Sequence, residues 1–264
     1  MAHKNKQNYS PYKARLEKIG ITAVQKPSNR SFKAEKIYSL EETNNRLADI
    51  FKNHGFSCSH QERQKLARFY ILLMENQEHQ NFTRLLKMKD IAIKHFIDSL
   101  VISELCKLQF PLLDLGTGPG FPGIPLKIRF PDEKIILAEG VQKRVEFLKA
   151  TRENLNLSNL DIIGRNIDDQ FVYPVNGVIT RAVEDIPNTL RNVLNCLQLG
   201  GKIYFMKGPN VDPELTMIPE KLLEYYRLEK DIAYDLKHTE NHRRLVIFKK
   251  IKNAPLPEEL DEDN

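Results

Sequence analysis

The chain has 264 residues, 41% of them hydrophobic, enough for one large domain or a medium domain with an appendage. No long apolar run occurs and the basic amino terminus lacks an apolar core, so neither a membrane span nor a secretion signal is expected. The net charge of +5 suits nucleic acid or another polyanion as partner, while three scattered cysteines, Cys58, Cys106 and Cys196, fit no metal pattern and suit a reduced, cytoplasmic setting.

Charge is uneven along the chain. Residues 1–40 hold nine Lys/Arg against two acids, and residues 251–264 hold one Lys against five acids. Residues 1–42 therefore read as a flexible basic arm, suited to RNA phosphates or to solubility alone, and residues 251–264 as an acidic tail. Between them the pattern separates a helical region, 43–108, from an α/β domain, 109–250.

In the helical region, Leu47, Ile50, Phe51 and His54 recur at helical spacing, and Gly55 reads as the stop. Ser59 and Glu62 fit a capping box ahead of a stripe of Leu66, Phe69, Tyr70, Leu73 and Met74. A third helix is expected from about Lys89 to Leu105, burying Ile93, Phe96, Ile97, Leu100 and Val101. His95 and Asp98 fall off that stripe. They suit a contact with each other, a neighbouring site, or a solvated pair.

The α/β domain opens with a short apolar strand at 112–115, carrying Asp114. A loop with Gly116, Gly118, Gly120 and Gly123, interleaved with Pro119 and Pro122, leads into a helix that ends near Ile128. Further strands are expected at 134–138, 160–163, 177–180, 202–206, 231–236 and 245–248, with helices at 143–154, 186–196 and 213–226. The alternation argues a doubly wound α/β sheet of seven strands, mostly parallel, with the last strand antiparallel after a short polar turn.

A glycine loop at the carboxyl end of a parallel strand is where such sheets bind ligands. Glycine permits positive φ and lets backbone approach the ligand. Glu139 follows Gly116 by 23 residues, the separation at which a βαβ unit brings an acid to a ribose. No Gly-Lys-Ser/Thr follows, so this is not a Walker loop. It fits a dinucleotide or S-adenosylmethionine (SAM). Its Pro and Phe content offers little to a pyrophosphate, and a terminal hairpin is common in SAM-dependent methyltransferases, an analogy of fold. In a SAM site Asp114 is expected near the amino-acid end, Gly116 beside the passing ligand, and Glu139 on the ribose hydroxyls.

Several segments then carry a closer likeness. They are Asn81-Phe-Thr83, His95-Phe-Ile-Asp-Ser-Leu100, Asp114 through Pro125, Lys143-Arg-Val-Glu-Phe-Leu148, Thr180-Arg-Ala182 and Lys207-Gly208. In order and spacing, over about residues 44–250, they resemble the ribosomal RNA small subunit methyltransferase G family, also called glucose-inhibited division protein B. The resemblance implies a Rossmann-like methyltransferase that uses SAM to methylate N7 of a guanosine in 16S rRNA (position 527, in the 530 loop). The partner is then 16S rRNA, the 30S subunit or an assembly intermediate, with no membrane involved, and a monomer is expected. The resemblance further implies that Gly116, Gly118 and Phe121 line the cofactor. Asn166 and Ile167 hold its adenine through backbone groups, and Arg181 stands near the methyl-transfer end. Glu139 replaces the Asp of many members. Lys207, Arg243 and Arg244 belong to an RNA-facing basic rim. The chain departs from the family at Asn76-Gln77, Arg84 and Gly140.

Guanine N7 carries an exposed lone pair, so its methylation needs placement rather than a general base. Asp98 is expected at the target, steadying ring charge or accepting from guanine N–H groups, with His95 as an orienting partner. Arg181 stays protonated and suits a carboxylate or phosphate. Two other classes compete. An NAD-dependent oxidoreductase calls for a proton donor on a second domain, and no such domain follows the last strand. A non-catalytic RNA-binding protein does not need the intact Gly/Pro loop.

Overall fold

The computed structural model describes residues 36–80 and 82–254. Most of the basic arm, Asn81 of the family-like segment and the acidic tail from residue 255 lie outside the described residues.

Helix α1 (Leu40–Asn53) begins at Ser39, whose hydroxyl accepts from the Glu42 N–H at 3.2 Å. It stops where the sequence puts the stop. Gly55 takes φ +60°, its N–H donates to the Lys52 carbonyl at 3.0 Å, and the Phe56 N–H reaches the Phe51 carbonyl at 2.9 Å. This is a Schellman turn, sealed by Phe51 against Phe56 with ring centroids 5.5 Å apart. Ser59 and Glu62 form the expected capping box, with the Ser59 N–H donating to Glu62 Oε2 at 2.8 Å and the Glu62 N–H to Ser59 Oγ at 3.2 Å. They open α2 (His60–Gln80), whose predicted stripe is buried.

The expected third helix is not continuous. It runs as α3 (Met88–Ile91), a π-helical segment (Ala92–Ile97), α4 (Asp98–Leu100) and α5 (Ile102–Leu105). A π turn adds a residue to each hydrogen-bonded ring and so rotates the side chains that follow. Ile93, Phe96, Ile97 and Leu100 stay buried across the change of register. His95 and Asp98 are turned toward Arg181.

The seven strands are β1 (Leu112–Leu115), β2 (Ile135–Ala138), β3 (Leu160–Ile163), β4 (Val175–Arg181), β5 (Leu197–Lys207), β6 (Tyr226–Asp235) and β7 (His242–Lys250). They lie in the order β3-β2-β1-β4-β5-β7-β6. The first five are parallel, and β7 is antiparallel to both β5 and β6. The connecting helices are α6 (Gly123–Arg129), α7 (Gln142–Asn154), α8 (Ile186–Asn192), α9 (Asp212–Thr216) and α10 (Glu220–Leu223). This is the Rossmann-like, mostly parallel sheet that the alternation predicts.

Several boundaries differ. The helix expected over 186–196 stops at Asn192, and β5 starts at Leu197, ahead of Gly200-Gly201. The helix expected over 213–226 splits in two at Pro219, because the residue before a proline is pushed out of the helical region. Strand β6 starts at Tyr226, five residues early, because its outer face is polar and its pairing with β7 carries it.

Strand alternation sorts the core into two layers. Leu112, Leu137, Ile179, Tyr204 and Ile247 face the amino-terminal helices. Leu113, Ile136, Val178, Ile203 and Phe248 face Ile186 and Leu190 of α8. In the first layer Phe69 meets Phe96, Phe121 and Phe147 at 6.0, 5.2 and 6.4 Å between centroids. Aromatic pairs contribute about 0.5–1.5 kcal/mol each beyond area burial. This cluster ties the π segment and the glycine loop to α2 and α7. Strand order reverses between β1 and β4, so a crevice opens at their carboxyl ends.

Candidate active site

The glycine loop joins β1 to α6, and three of its residues, Gly116, Gly118 and Gly120, take φ of +65°, +62° and +113°. A Cβ on Gly118 would meet nothing within 4 Å, so this backbone faces open space. Asp114 sits behind the loop, wholly buried, and its Oδ2 accepts from Thr117 Oγ1 at 2.5 Å and from the Gly123 N–H at 2.7 Å. The carboxylate thus ties the start of the loop to the first turn of α6. Asp114 does not itself line the crevice; its two donors lie on the loop and at the first turn of α6, so it acts on the ligand's expected amino-acid end only through that backbone. Burial pushes its pKa up to about 7 against the pull of those two hydrogen bonds.

The crevice is a cavity of about 900 Å³. One wall is Glu139, Gly140, Val141 and Asn166. Glu139 is 5% exposed; its Oε1 accepts from the Val141 N–H at 2.8 Å and its Oε2 lies 3.5 Å from Arg144 Nη1. A side chain at position 140 would overlap the Asn166 amide, which accounts for a glycine there. Asn166 lines the cavity, whereas the Ile167 side chain is buried in the second core layer.

The opposite wall is a hydrogen-bonded network drawn from four distant parts of the chain. Arg181 ends β4, followed by Ala182 in the left-handed region at φ +56°. Its Nη1 donates to the Lys94 carbonyl at 3.2 Å and to Asp98 Oδ2 at 3.3 Å, and its Nη2 to His95 Nδ1 at 3.2 Å. Asp98, 2% exposed, also accepts from the Tyr234 hydroxyl at 3.3 Å and lies 3.6 Å from Arg243 Nε. Its two oxygens are therefore engaged by two guanidiniums and a phenol. His95 stacks on Phe121 at 4.4 Å between centroids.

Arginine has no acceptor, so His95 Nδ1 is the bare nitrogen and Nε2 carries the proton. That Nε2–H donates to Thr83 Oγ1 at 3.0 Å. Burial first, and the Arg181 charge second, lower the His95 pKa to about 3. The sign follows. The unfolded chain binds a proton at this histidine below about pH 6.5 and the folded chain does not, so its contribution to stability is complete above pH 6.5 and is lost progressively toward pH 3. Wild type is expected to lose about 2 kcal/mol more than His95→Gln between pH 7.5 and pH 5 in denaturant unfolding. Equal losses would remove this histidine from the acid limb.

The expected RNA rim divides. Lys207 Nζ donates to the Glu184 carbonyl and to Glu214 Oε2, both at 2.7 Å, and is mostly buried at the cavity's edge. Arg244 is spent on Asp212 at 2.7 Å and Asp231 at 2.5 Å and does not line the cavity. Arg243 lines it and keeps part of its surface. Gly116, Gly118, Phe121, Glu139, Asn166, Arg181, His95 and Asp98 all stand at the cavity. Sequence reasoning assigned nothing to Thr83, Gln77 or Tyr234. Thr83 lay within a quoted segment, but its hydrogen bonds to residues 77 and 95 have no periodic signature.

A family model described as rRNA small subunit methyltransferase G (GidB) matches residues 62–246. A protein of Bdellovibrio bacteriovorus named ribosomal RNA small subunit methyltransferase G 2 is 63% identical over 231 residues, 87% of this chain and 91% of the relative. A protein of the same name from Syntrophobacter fumaroxidans is 40% identical over 205 residues, 78% of this chain but 41% of that longer protein. Among solved structures, a methyltransferase from Pyrococcus furiosus aligns with a TM-score of 0.49 and 17% identity, over 71% of this chain and 98% of that one. With a model match across most of its length and a close full-length relative, the chain belongs to the rRNA small subunit methyltransferase G family.

Proposed function

We propose that this protein transfers a methyl group from SAM to N7 of a guanosine in 16S rRNA, the one at position 527 in the 530 loop, in the free RNA, the 30S subunit or an assembly intermediate. The observation that carries the reading is the make-up of the cavity's second wall. Among the described residues it holds arginines, an ion-paired carboxylate and a histidine kept neutral, and none of these is free to take a proton. Guanine N7 has a free lone pair and needs none, whereas methylation at an N–H or O–H calls for a base.

The residues present fit SAM. Gly118 leaves open space where a side chain would stand, and Glu139 offers a buried carboxylate at the carboxyl end of β2. When bound, SAM supplies the electrophilic methyl group. Gly118 gives the ligand close passage along the main chain, while Gly116 lines the cavity with Val183 filling the place of a side chain. Glu139 accepts from the ribose hydroxyls, and Asn166 with the Ile167 backbone borders the adenine. Phe121, stacked on His95, is the apolar floor between cofactor and target. Arg181 presents a fixed positive charge to the methionine carboxylate or to a phosphate of the RNA. Asp98 positions Arg181 and Arg243 rather than touching the base. Arg243 meets RNA at the cavity's edge, and Lys207 and Arg244 brace that edge through their carboxylate partners.

The test is methyl transfer from labelled SAM to naked 16S rRNA and to small-subunit particles lacking the modification, with the product base mapped. Label on N7 of the 530-loop guanosine is expected. Any change of rate through pH 6–7 is expected from Asp114 behind the loop, near 7, and none from the target or His95, which do not titrate there. Label at another base would overturn the target, and RNA binding without SAM binding would favour the non-catalytic reading.

A further inference from the structure

Thr83 is the most constrained side chain on the cavity wall that the reading above leaves without a task. Its backbone is clamped by Gln77, which is 5% exposed: the Thr83 N–H donates to Gln77 Oε1 at 3.0 Å, and Gln77 Nε2 donates to the Thr83 carbonyl at 2.7 Å. Its hydroxyl oxygen accepts twice, from His95 Nε2–H and from the Leu85 N–H, each at 3.0 Å. A hydroxyl has two lone pairs and one hydrogen. Both lone pairs are taken, so only the hydrogen is left. No acceptor for it stands among the described residues, and Thr83 lines the cavity.

The direction of this relay is set from its Arg181 end. Arg181 only donates, so His95 Nδ1 must accept. The histidine stays neutral, so its one proton is on Nε2 and is spent on Thr83. Thr83 is thereby fixed as a donor to whatever occupies the cavity. Arg181, ion-paired with Asp98 behind it, is the origin of the polarity.

We propose that Thr83 reads the target base, donating its hydroxyl hydrogen to O6 of the guanine whose N7 accepts the methyl group. The proposal rests on the guanine-N7 reading. On that edge of a purine, guanine presents two acceptors, N7 and O6, while adenine presents N7 beside the N6 amino group, a donor. A locked donor facing the position-6 substituent rewards guanine and opposes adenine, whose amino hydrogens would confront the hydroxyl hydrogen. Of its immediate partners, Asp98 is engaged by arginines and tyrosine and His95 has no free nitrogen, while Arg84, Lys94 and Arg243 line the cavity as charged donors.

The experiment uses reconstituted small-subunit particles that carry either guanosine or 2,6-diaminopurine at the target position. Diaminopurine keeps N7 and the 2-amino group but has an amine in place of O6. Wild type is expected to prefer guanosine in kcat/KM by roughly tenfold to a hundredfold, the range of one good base-edge contact. Thr83→Val should lose most of its rate on guanosine and bring the two substrates within about threefold of each other. Thr83→Ser, which keeps the hydroxyl, should restore the preference. SAM affinity, measured by calorimetry, should be the same in all three proteins. Equal rates of wild type on the two substrates would overturn the proposal without recourse to any variant. So would a Thr83→Val enzyme that keeps the wild-type ratio. If wild type makes no N7-methylguanosine on the guanosine particle, the guanine-N7 reading itself fails, and this inference with it.

Discussion

Replacing Asp98 by asparagine is expected to leave SAM binding close to wild type and to lower kcat/KM on the small-subunit substrate by about a hundredfold, on the order of 3 kcal/mol. Asparagine keeps the shape and one carbonyl acceptor. Among the described residues, it removes the only negative charge in contact with both Arg181 and Arg243. Two guanidiniums then share a buried site with no counter-charge, and the loss of one partner from a buried ion pair is far costlier than the net worth of the pair. Arg181 is the more confined of the two, with its other bonds to the Lys94 carbonyl and His95. Its response is to swing toward the cavity, which breaks the bond that orients His95 and, through it, Thr83. The Tyr234 hydroxyl still finds an acceptor in asparagine, so the hairpin of β6 and β7 stays in place. Single-turnover methyl transfer and SAM calorimetry, with Tm as a control for folding, separate these effects. Unchanged turnover would remove Asp98 from the site, and lost SAM affinity would move its role to the cofactor.

Gly123→Ala is expected to abolish measurable SAM binding and to destabilise the fold by about 1–3 kcal/mol. Gly123 is the first residue of α6, and its φ is not the issue. The added methyl would overlap Leu137 Cδ2 on β2 and stand 2.6 Å from Asp114 Oδ2. Leu137 belongs to a central strand paired on both sides, and Asp114 is held by the loop itself, so neither retreats freely. The helix must move outward instead. That movement breaks the Gly123 N–H bond to Asp114 and opens the loop that leads to it. Gly118→Ala is the informative contrast. It meets no atom, and its left-handed φ of +62° costs about 1–2 kcal/mol. The methyl then occupies the cavity, so SAM affinity should fall with a smaller change in Tm. Thermal unfolding and SAM titration of both variants test this pair. Wild-type SAM affinity in Gly123→Ala would show that the loop tolerates displacement of α6.

The local events of this fold are legible in the order of residues alone. Gly55 ends α1 because only a residue at ease at positive φ completes the turn there. Ser59 and Glu62 open α2 because three residues of spacing let each side chain cap the other's backbone. Strand and helix alternation and the buried stripes were legible for the same reason: they depend on periods of two and about 3.6 residues, which any window of the chain displays. The glycine loop and the Glu139 spacing were legible because a βαβ unit has a characteristic length.

Which charges are free and which are committed depends instead on long-range packing. Lys207 and Arg244 look like RNA-facing bases in the sequence, yet Glu214, Asp212 and Asp231 neutralise them from other elements. Asp114 looks like a ligand-binding acid, yet its two donors lie on its own loop and at the first turn of α6. The network of Thr83, His95, Asp98, Arg181, Tyr234 and Arg243 joins residues up to 160 positions apart, and the π-helical segment sets two of them toward the site. Such pairings follow from how the amino-terminal helices and the last hairpin pack over the carboxyl ends of β1 and β4, and no local period encodes that packing.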